Sequence, residues 1–227
     1  MCPISVFILI VRNDMKHAAL FDLDGVILDT ESRYTLFWEE IGKEDFPSIS
    51  DFAQSVKGCT LKQIFDLHYP GDAAGQQRIK QGLYELEAKM DYPYNSGALT
   101  FVAALRQAGI STAIVTSSDK AKMENVYRAH PEFRHYFDHI FTAEDTPRSK
   151  PAPDCYLTAA RYFSLPPQSC VVFEDSISGL KAARASGAKV VGLATTNPRT
   201  AIAPYSDYMA DDFEHFGLED FMRLIGL

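Results

Sequence analysis

Two aspartates separated by a single residue stand at the end of a short apolar run. The run, residues 18–21, leads directly into Asp22-Leu23-Asp24-Gly25. A short apolar run bounded by glycine is typical of a buried strand in a parallel sheet, and ligands bind beyond the carboxyl ends of such strands. Two carboxylates this close repel each other unless a cation or a shared proton relieves them. The alternative is an ordinary turn, because Asp and Gly are common turn residues.

Polar side chains follow three later apolar runs that we also predict as strands. Because parallel strands present their carboxyl ends at one edge of a sheet, we expect these side chains to converge with the two aspartates. Taken singly, the lysine among them could be a solvated loop residue and the acidic pair a helix N-cap. The groups are Thr116 and Ser117 after the first run, Lys150 after the second, and Glu174 with Asp175 after the third.

Together these residue types suit phosphoryl transfer. Clustered carboxylates bind a hard divalent cation, most naturally Mg²⁺, and the cation together with a lysine neutralises the transferring group. Hydroxyl and backbone N–H groups at strand ends can hold its remaining oxygens. One aspartate could then act as a nucleophile, while a second gives a proton to the leaving oxygen and later takes one from water.

The chain around these groups alternates strand and helix signals. Such alternation indicates βαβ units, so we predict an α/β fold with a parallel sheet. The predicted strands are residues 17–22, 111–116, 140–142, 170–174, 190–194 and 208–210. The predicted helices are residues 99–107, 120–129, 154–163 and 177–186.

The segment from Glu31 to about Tyr92 has helical periodicity instead. Its apolar residues form three stripes at helical spacing, which we interpret as the core of a small bundle. We therefore predict an inserted α-helical cap at residues 30–94, within an α/β core of residues 15–29 and 95–227. Such an insert is well placed to act as a lid. Residues 1–14 are predicted to be a leader, the alternative being an edge strand in the apolar run 4–11.

The composition argues against several classes of partner. The chain has 227 residues and a formal net charge of −8, with no run of lysine or arginine, which argues against nucleic acid and membrane. Its four cysteines are far apart, so no disulfide framework or zinc site is indicated, which is typical of a reducing cytoplasm. We also expect a monomer. His135 and His139 have the spacing of a helical metal pair, but no third ligand accompanies them and we interpret them as structural.

Four motifs occur in the order and spacing of one enzyme superfamily. They are Phe-Asp-Leu-Asp-Gly-Val-Ile-Leu-Asp-Thr from residue 21, Ile-Val-Thr-Ser-Ser from 114, Lys-Pro-Ala-Pro-Asp from 150 and Phe-Glu-Asp-Ser-Ile-Ser-Gly-Leu-Lys-Ala-Ala from 173. On these motifs the chain resembles the haloacid dehalogenase-like (HAD) superfamily from about residue 16 onward. Within it, the chain is most similar to the phosphatase branch that includes β-phosphoglucomutase and phosphoglycolate phosphatase.

The resemblance implies a Rossmann-like core with a small helical cap, and a role for each motif residue. Asp22 would be the nucleophile and Asp24 the general acid and base. Thr116 and Ser117 would bind phosphate, and Lys150 would pair with the nucleophile and the phosphate. The implied cofactor is Mg²⁺. Its ligands would be the Asp22 carboxylate, the Asp24 backbone carbonyl and Asp175, with Glu174 as a further ligand or a support behind them.

Two comparisons within the superfamily indicate hydrolysis of phosphate esters. The acid at Asp24 is retained, whereas halide-displacing members place a non-acidic residue there. In the sugar phosphomutase the cap carries a histidine and a phosphate-gripping arginine, and the matching positions here are Tyr34 and Leu61. Losing the guanidinium removes a bidentate phosphate clamp. We therefore predict a Mg²⁺-dependent phosphatase that hydrolyses small phosphorylated metabolites, by default sugar or polyol phosphates, through an aspartyl-phosphate intermediate.

Other functions stay open at this point. Lys57 or Lys62 could replace the missing arginine, so a sugar phosphomutase is the alternative. A pyrophosphatase and a non-enzymatic binding module are further alternatives, although such a module would be expected to lose a motif residue and none is lost. The cap is expected to select the substrate, and the candidate contacts are Glu31, Tyr34, Gly58 and Cys59.

Overall fold

The computed structural model of the chain describes residues 17–227, so the predicted leader and the alternative edge strand lie outside the described residues. The strands of the described part are β1 Ala18–Phe21, β2 Ser111–Val115, β3 His139–Phe141, β4 Cys170–Glu174, β5 Lys189–Leu193 and β6 Tyr208–Ala210. They form one sheet in the order β3-β2-β1-β4-β5-β6, and every pairing is parallel. This is the order of a Rossmann-like fold, which confirms the predicted α/β class.

Five helices lie between β1 and β2 along the chain, and the first four belong together. These four are α1 Glu31–Asp45, α2 Phe52–Val56, α3 Leu61–His68 and α4 Ala73–Lys89. Their apolar side chains form a cluster of their own, which includes Trp38, Phe52 and Leu83. We call residues 31–89 the helical insert, and its treatment as a separate cap domain stays our interpretation.

The two connections of the helical insert run side by side. The Asp29 N–H donates to the Pro93 carbonyl at 2.7 Å, and the Asn95 N–H donates to the Ile27 carbonyl at 2.9 Å. The side-chain amide of Asn95 also donates to the Val26 carbonyl at 2.9 Å. These bonds anchor the insert to residues 26–29, at the end of the first motif.

Further helices cover both faces of the sheet. Because successive strand residues point to opposite faces, Phe21 packs in the apolar cluster on one face and Leu20 in the cluster on the other. Burial of both faces explains why the strands read as continuous apolar runs. These helices are α5 Ala98–Gln107, α6 Lys120–Ala129, α7 Asp154–Tyr162, α8 Ile177–Ser186, α9 Arg199–Ile202 and α10 Leu218–Ile225. Across residues 17–227, no helix has the length and apolar character needed to cross a membrane.

The strand order reverses next to β1. This strand pairs with β2 on one side and with β4 on the other. In open parallel sheets, ligands bind in the crevice outside the carboxyl ends of the strands at such a reversal. Asp22 directly follows β1, and Asp175 directly follows β4. The fold therefore places one aspartate on each side of the expected crevice.

Candidate active site

Asp22 is held at the end of β1 by its neighbours in the sheet. Its backbone N–H donates to the Phe173 carbonyl at 3.0 Å, which continues the pairing of β1 with β4. Its side chain accepts a hydrogen bond from Lys150 Nζ at 2.9 Å. Burial raises the pKa of Asp22 to about 7, although the Lys150 ammonium opposes this effect. A carboxylate that is buried and poorly neutralised in this way favours the approach of a further positive charge.

Lys150 uses all three of its ammonium donors inside the protein. Nζ donates to Asp22 Oδ1 at 2.9 Å, to Glu174 Oε1 at 2.6 Å and to the Val115 carbonyl at 3.1 Å. Burial by itself would lower the pKa of Lys150, but the two carboxylates outweigh it and raise the pKa above its usual value. A permanently charged ammonium thus joins the ends of β1, β2 and β4.

Glu174 lies behind the cavity and has both oxygens occupied. Oε1 accepts from Lys150 Nζ and from the Tyr156 hydroxyl at 2.8 Å. Oε2 accepts from the backbone N–H groups of Asp175 and Ser176, both at 3.1 Å. A Cβ on Gly179 would come within 1.7 Å of Oε1, so the helix can approach this carboxylate only with glycine there. The resemblance implies that Glu174 is either a metal ligand or a support behind the ligands. Because both of its oxygens are already occupied, the geometry favours the supporting role.

Asp175 carries the clearest sign of a cation site. Among residues 17–227, its Oδ1 is buried without a hydrogen-bond partner. Carboxylate oxygens of Asp22, Glu174 and Asp175 lie within 4.8 Å of one another. Burial raises the pKa of Asp175 well above its usual range, and the neighbouring carboxylates add to the shift. Buried polar atoms are normally paired, and a cluster of hard oxygen donors fits a divalent cation such as Mg²⁺.

The two histidines do not contribute to this group. His139 lies on β3, where its ring packs against Phe141 at 4.3 Å and Tyr162 at 4.2 Å between centroids. Within residues 17–227, neither His135 nor His139 belongs to a set of three groups able to hold a metal ion. Their four-residue spacing is not that of a helical pair, because His139 lies on β3 and His135 precedes that strand.

We expect divalent cations to stabilise the protein more strongly at pH 8 than at pH 5.5. Folding raises the pKa of Asp22 from 3.8 to about 7. In the pH window between these two values, the folded protein therefore holds a proton that the unfolded chain has released. Stability without metal therefore falls as the pH rises through the window, whereas cation affinity rises because ligation needs deprotonated carboxylates. Saturation at about 100 times Kd would add about 2.7 kcal/mol. The increase in melting temperature on adding Mg²⁺ at each pH measures the effect.

The matched control for this effect is Asp175→Asn. It removes the buried carboxylate with the unpartnered oxygen, and it should abolish most of the Mg²⁺-induced increase at both pH values. An increase in wild type that is equal or smaller at pH 8, or one that survives in Asp175→Asn, would contradict the assignment of these carboxylates as cation ligands.

In the described part of the chain, three side chains donate hydrogen bonds to the Asp24 carboxylate. The Thr30 hydroxyl donates to Oδ1, and the Ser118 hydroxyl donates to Oδ2 at 3.1 Å. Lys122 Nζ also donates to Oδ2. Thr116, at the end of β2, accepts on Oγ1 from the Ser118 N–H at 3.0 Å. The loop after β2 is thereby folded against the first motif.

A cavity of about 450 Å³ lies between the sheet edge and the helical insert, which is within the usual size range for small-molecule sites. The predicted core residues that line it are Asp22, Asp24, Thr116, Ser117, Lys150 and Asp175. The predicted cap residues Glu31, Tyr34, Gly58 and Cys59 line it as well. The structure thus brings all of these predicted site residues to one cavity, with Glu174 directly behind it.

The cap candidates differ in what they contact. Glu31 pairs with Lys57 at 3.7 Å, and the Tyr34 hydroxyl donates to Glu87 Oε1 at 3.0 Å. Gly58 has φ +71°, and a Cβ there would lie 2.6 Å from Ser176 Oγ, so the insert approaches the core closely at this turn. Burial raises the pKa of the Cys59 thiol, which therefore stays protonated.

Two glutamines of the insert bond to core groups around the site. Gln63 Nε2 donates to the Lys150 carbonyl at 2.8 Å. Gln54 Nε2 donates to Asn197 Oδ1 at 2.6 Å, and Asn197 Nδ2 donates in turn to the Asp175 carbonyl at 2.9 Å. The insert therefore contacts the backbone of two predicted site residues, one directly and one through Asn197.

Several residues of the site are absent from the sequence predictions. Lys122 lies within α6 and outside the four motifs, and no local pattern marks it. Glu87 lies on the insert and reaches the cavity only because α4 packs near α6. The three remaining residues are Gln54, Gln63 and Asn197. They act through contacts between distant segments, and a single sequence does not reveal such contacts.

These features define an α/β protein with a site at the reversal point of a parallel sheet. A lysine-paired aspartate and a buried carboxylate cluster lie beneath a helical insert in that site. A family model described as haloacid dehalogenase-like hydrolase matches residues 16–187. The chain therefore belongs to the haloacid dehalogenase-like hydrolases, which confirms the resemblance seen in the motifs.

Individual relatives agree with this membership. The chain is 30% identical over 177 residues to the fructose-1-phosphate phosphatase YqaB of Escherichia coli, a match that covers 76% of this chain and 93% of that protein. It is 28% identical over 220 residues to the Arabidopsis thaliana protein SUPPRESSOR OF QUENCHING 1, chloroplastic, where the match covers 90% of this chain and 20% of that longer protein. A HAD hydrolase of family IA, variant 3, from Entamoeba histolytica has a similar structure, with a TM-score of 0.79 and 25% identity over 92% of this chain and 99% of that one.

Proposed function

We propose that this protein is a Mg²⁺-dependent phosphatase of small phosphorylated metabolites that works through an aspartyl-phosphate intermediate. The observation that carries the proposal is the Asp22–Lys150 pair beside the unpartnered Asp175 oxygen, at the same edge of the sheet as Asp24. Nucleophile, fixed cation, cation ligands and proton donor therefore share one cavity. A cytoplasmic location and a monomeric state are part of the proposal.

The first chemical step uses both aspartates of the first motif. A carboxylate oxygen of Asp22 attacks phosphorus, the bond between phosphorus and the leaving oxygen breaks, and that oxygen takes a proton from Asp24. In the second step a water oxygen attacks the phosphorus and gives its proton to Asp24. The aspartyl–phosphate bond then breaks, which releases inorganic phosphate and regenerates the Asp22 carboxylate. Lys150 keeps the nucleophile oriented and offsets negative charge.

The remaining groups hold the phosphoryl oxygens and the cation. Thr116 and Ser117 lie in the cavity and supply hydroxyl donors. A bound Mg²⁺ would be held by Asp22, Asp175 and the Asp24 backbone carbonyl, with Glu174 in support, and it would neutralise charge on the phosphoryl group.

We infer that the substrates are sugar or polyol phosphates. The polar side chains of the insert in the cavity suit a hydroxylated leaving group, and a relative with 30% identity is named a fructose-1-phosphate phosphatase. A sugar phosphomutase is the second candidate. Leu61 lines the cavity where that enzyme has an arginine, and Lys57 is paired with Glu31, which supports hydrolysis.

Phosphate release from a panel of small phosphomonoesters tests the proposal. The panel includes β-glucose 1-phosphate and pyrophosphate, each measured with Mg²⁺ and with EDTA. Metal-dependent release from sugar or polyol phosphates is the expected result. Conversion of β-glucose 1-phosphate to glucose 6-phosphate without release would indicate the mutase, and release from pyrophosphate alone would indicate a pyrophosphatase. Inactivity on every compound would contradict the proposed substrate class and return the enzyme assignment to question.

Replacing Asp24 with asparagine should slow esters with poor leaving groups most. An alkyl phosphate needs a proton on its leaving oxygen, whereas an activated aryl phosphate does not. We expect kcat/KM, which reports the leaving-group step and not the shared hydrolysis of the aspartyl-phosphate, to fall by roughly 10²–10⁴-fold for the alkyl ester and by much less for p-nitrophenyl phosphate. Steady-state kinetics on both esters measure the difference. Equal losses on the two esters would count against the acid role of Asp24.

A further inference from the structure

Lys122 is a buried charged residue that the mechanism above does not use. It lies on α6 with only 4% of its surface exposed, and it lines the cavity. Lysine is almost never buried this deeply unless its ammonium is paired. Its partner here is the Asp24 carboxylate, 98 residues away along the chain. Its burial and its pairing with Asp24 together indicate that Lys122 acts on the Asp24 carboxylate.

Lys122 also connects Asp24 to the helical insert. Its ammonium lies over the Tyr34 ring, 4.6 Å from the centroid, in cation–π geometry. The Tyr34 hydroxyl donates to Glu87 Oε1 at 3.0 Å, and Glu87 is itself buried. A continuous series of contacts thus runs from the core through α6 to helices α1 and α4 of the insert. The charged groups facing Lys122 are Asp24 and Glu87, with Glu31 nearby.

The geometry around Asp24 explains what Lys122 can contribute. Two of the three donors to its carboxylate, Thr30 and Ser118, are neutral hydroxyls, and Lys122 is the charged one. A charge-assisted bond is roughly twice as strong as a neutral one, so Lys122 has the largest influence on the carboxylate's orientation. Proton transfer requires an acid within hydrogen-bond reach of the leaving oxygen, so small errors in orientation lower kcat.

We propose that Lys122 is a positioning residue that orients Asp24 for proton transfer, and that Tyr34 and Glu87 of the insert hold Lys122 in place. This inference rests on the proposed phosphatase function. Contact between insert and core then has a direct effect on the acid, because the ring that covers Lys122 belongs to the insert. Lys122 itself does not touch the transferring phosphoryl group in this scheme.

The test compares Lys122→Met with wild type and with a matched control on an alkyl phosphate and on p-nitrophenyl phosphate. Methionine keeps the length of the side chain and removes its charge. Partners that orient metal ligands typically contribute 10–100-fold, and by analogy we expect kcat/KM on the alkyl ester to fall roughly 10–100-fold. On the aryl ester, which needs no proton on its leaving oxygen, kcat/KM should fall less than about threefold. Lys120→Met is the matched control, because Lys120 is exposed on the same helix.

Three further variants separate positioning from a purely structural role. Lys122→Arg retains the charge and should recover most of the alkyl ester activity. The double variant Lys122→Met with Asp24→Asn should be no slower than Asp24→Asn alone, because an acid that is absent cannot be misplaced. Tyr34→Leu, which removes the ring over Lys122, should show the same preference for the aryl ester as Lys122→Met. It also serves as the test if Lys122→Met does not fold.

Each remaining outcome is informative. Equal losses on both esters, additive losses in the double variant, or no recovery by arginine would overturn the role of Lys122 while leaving the phosphatase intact. If wild type hydrolyses neither ester with Mg²⁺, the proposed function itself fails and this inference fails with it. Melting curves of every variant identify any loss that is due to unfolding.

Discussion

Replacement of Asp22 by asparagine is expected to lower kcat by at least about 10⁴-fold on every phosphate ester. The amide has the shape of the carboxylate, but it lacks the anionic oxygen that forms the aspartyl-phosphate. No other described carboxylate is paired with Lys150 at the cavity surface, because Glu174 lies behind it with both oxygens occupied. Phosphate release at saturating substrate with Mg²⁺ measures the loss.

The fold should survive this substitution. Burial raises the pKa of Asp22 to about 7, so the charged carboxylate is unfavourable in the metal-free protein at pH 8. A neutral amide should therefore melt at the same temperature as wild type or higher in EDTA. Asp29→Asn is the matched control, because Asp29 belongs to the same motif and is exposed, and it should retain full activity. Full activity in Asp22→Asn would show that the nucleophile is misassigned.

Lys150→Met should be the most destabilising single change in the site. Removing the ammonium leaves Asp22 and Glu174 facing each other without a counter-charge, and both are buried. Breaking a buried pair in this way costs about 3–5 kcal/mol. The cost should shrink towards pH 5, where the carboxylates can take up protons, and kcat should fall together with stability. Urea unfolding at pH 8 and pH 5 in EDTA gives both free energies.

An exposed lysine provides the control for that loss. Lys43→Met makes the same substitution at an exposed position on α1, and its effect should stay within about 0.5 kcal/mol. Mg²⁺ should restore part of the stability of Lys150→Met, because a cation can replace some of the missing positive charge. Unchanged stability at pH 8 would mean that Lys150 does not neutralise the buried carboxylates.

Local chemistry determined most of the secondary structure. Helix α6 begins where the Asp119 side chain accepts from the Lys122 N–H at 2.8 Å, and helix α8 begins where Ser176 accepts from the Gly179 N–H at 3.0 Å. Helix α8 ends at Gly187, whose φ of +83° suits a residue without a side chain. These caps involve neighbours along the chain, so both helices have the predicted bounds.

Elements that depend on distant packing are missing from the predictions. Helix α10 is absent from the predicted elements, although Phe221, Leu224 and Ile225 have helical spacing. It is only eight residues long, and Phe221 is buried against Phe101 of α5 and Phe173 of β4. Helices this short are unstable alone and form because of such tertiary contacts.

The sequence by itself determined the parallel α/β class, the family and the core residues that line the cavity. It could do so because the motif residues follow strands, and parallel strands end at one edge of the sheet. Only the tertiary structure decided which side chains meet across that edge. Lys122 reaches Asp24 over 98 residues, Gln63 reaches Lys150 over 87, and Tyr34 reaches Glu87 over 53. Periodicity shows which face of a helix is apolar, but the partner of a polar side chain depends on how the insert lies against the core.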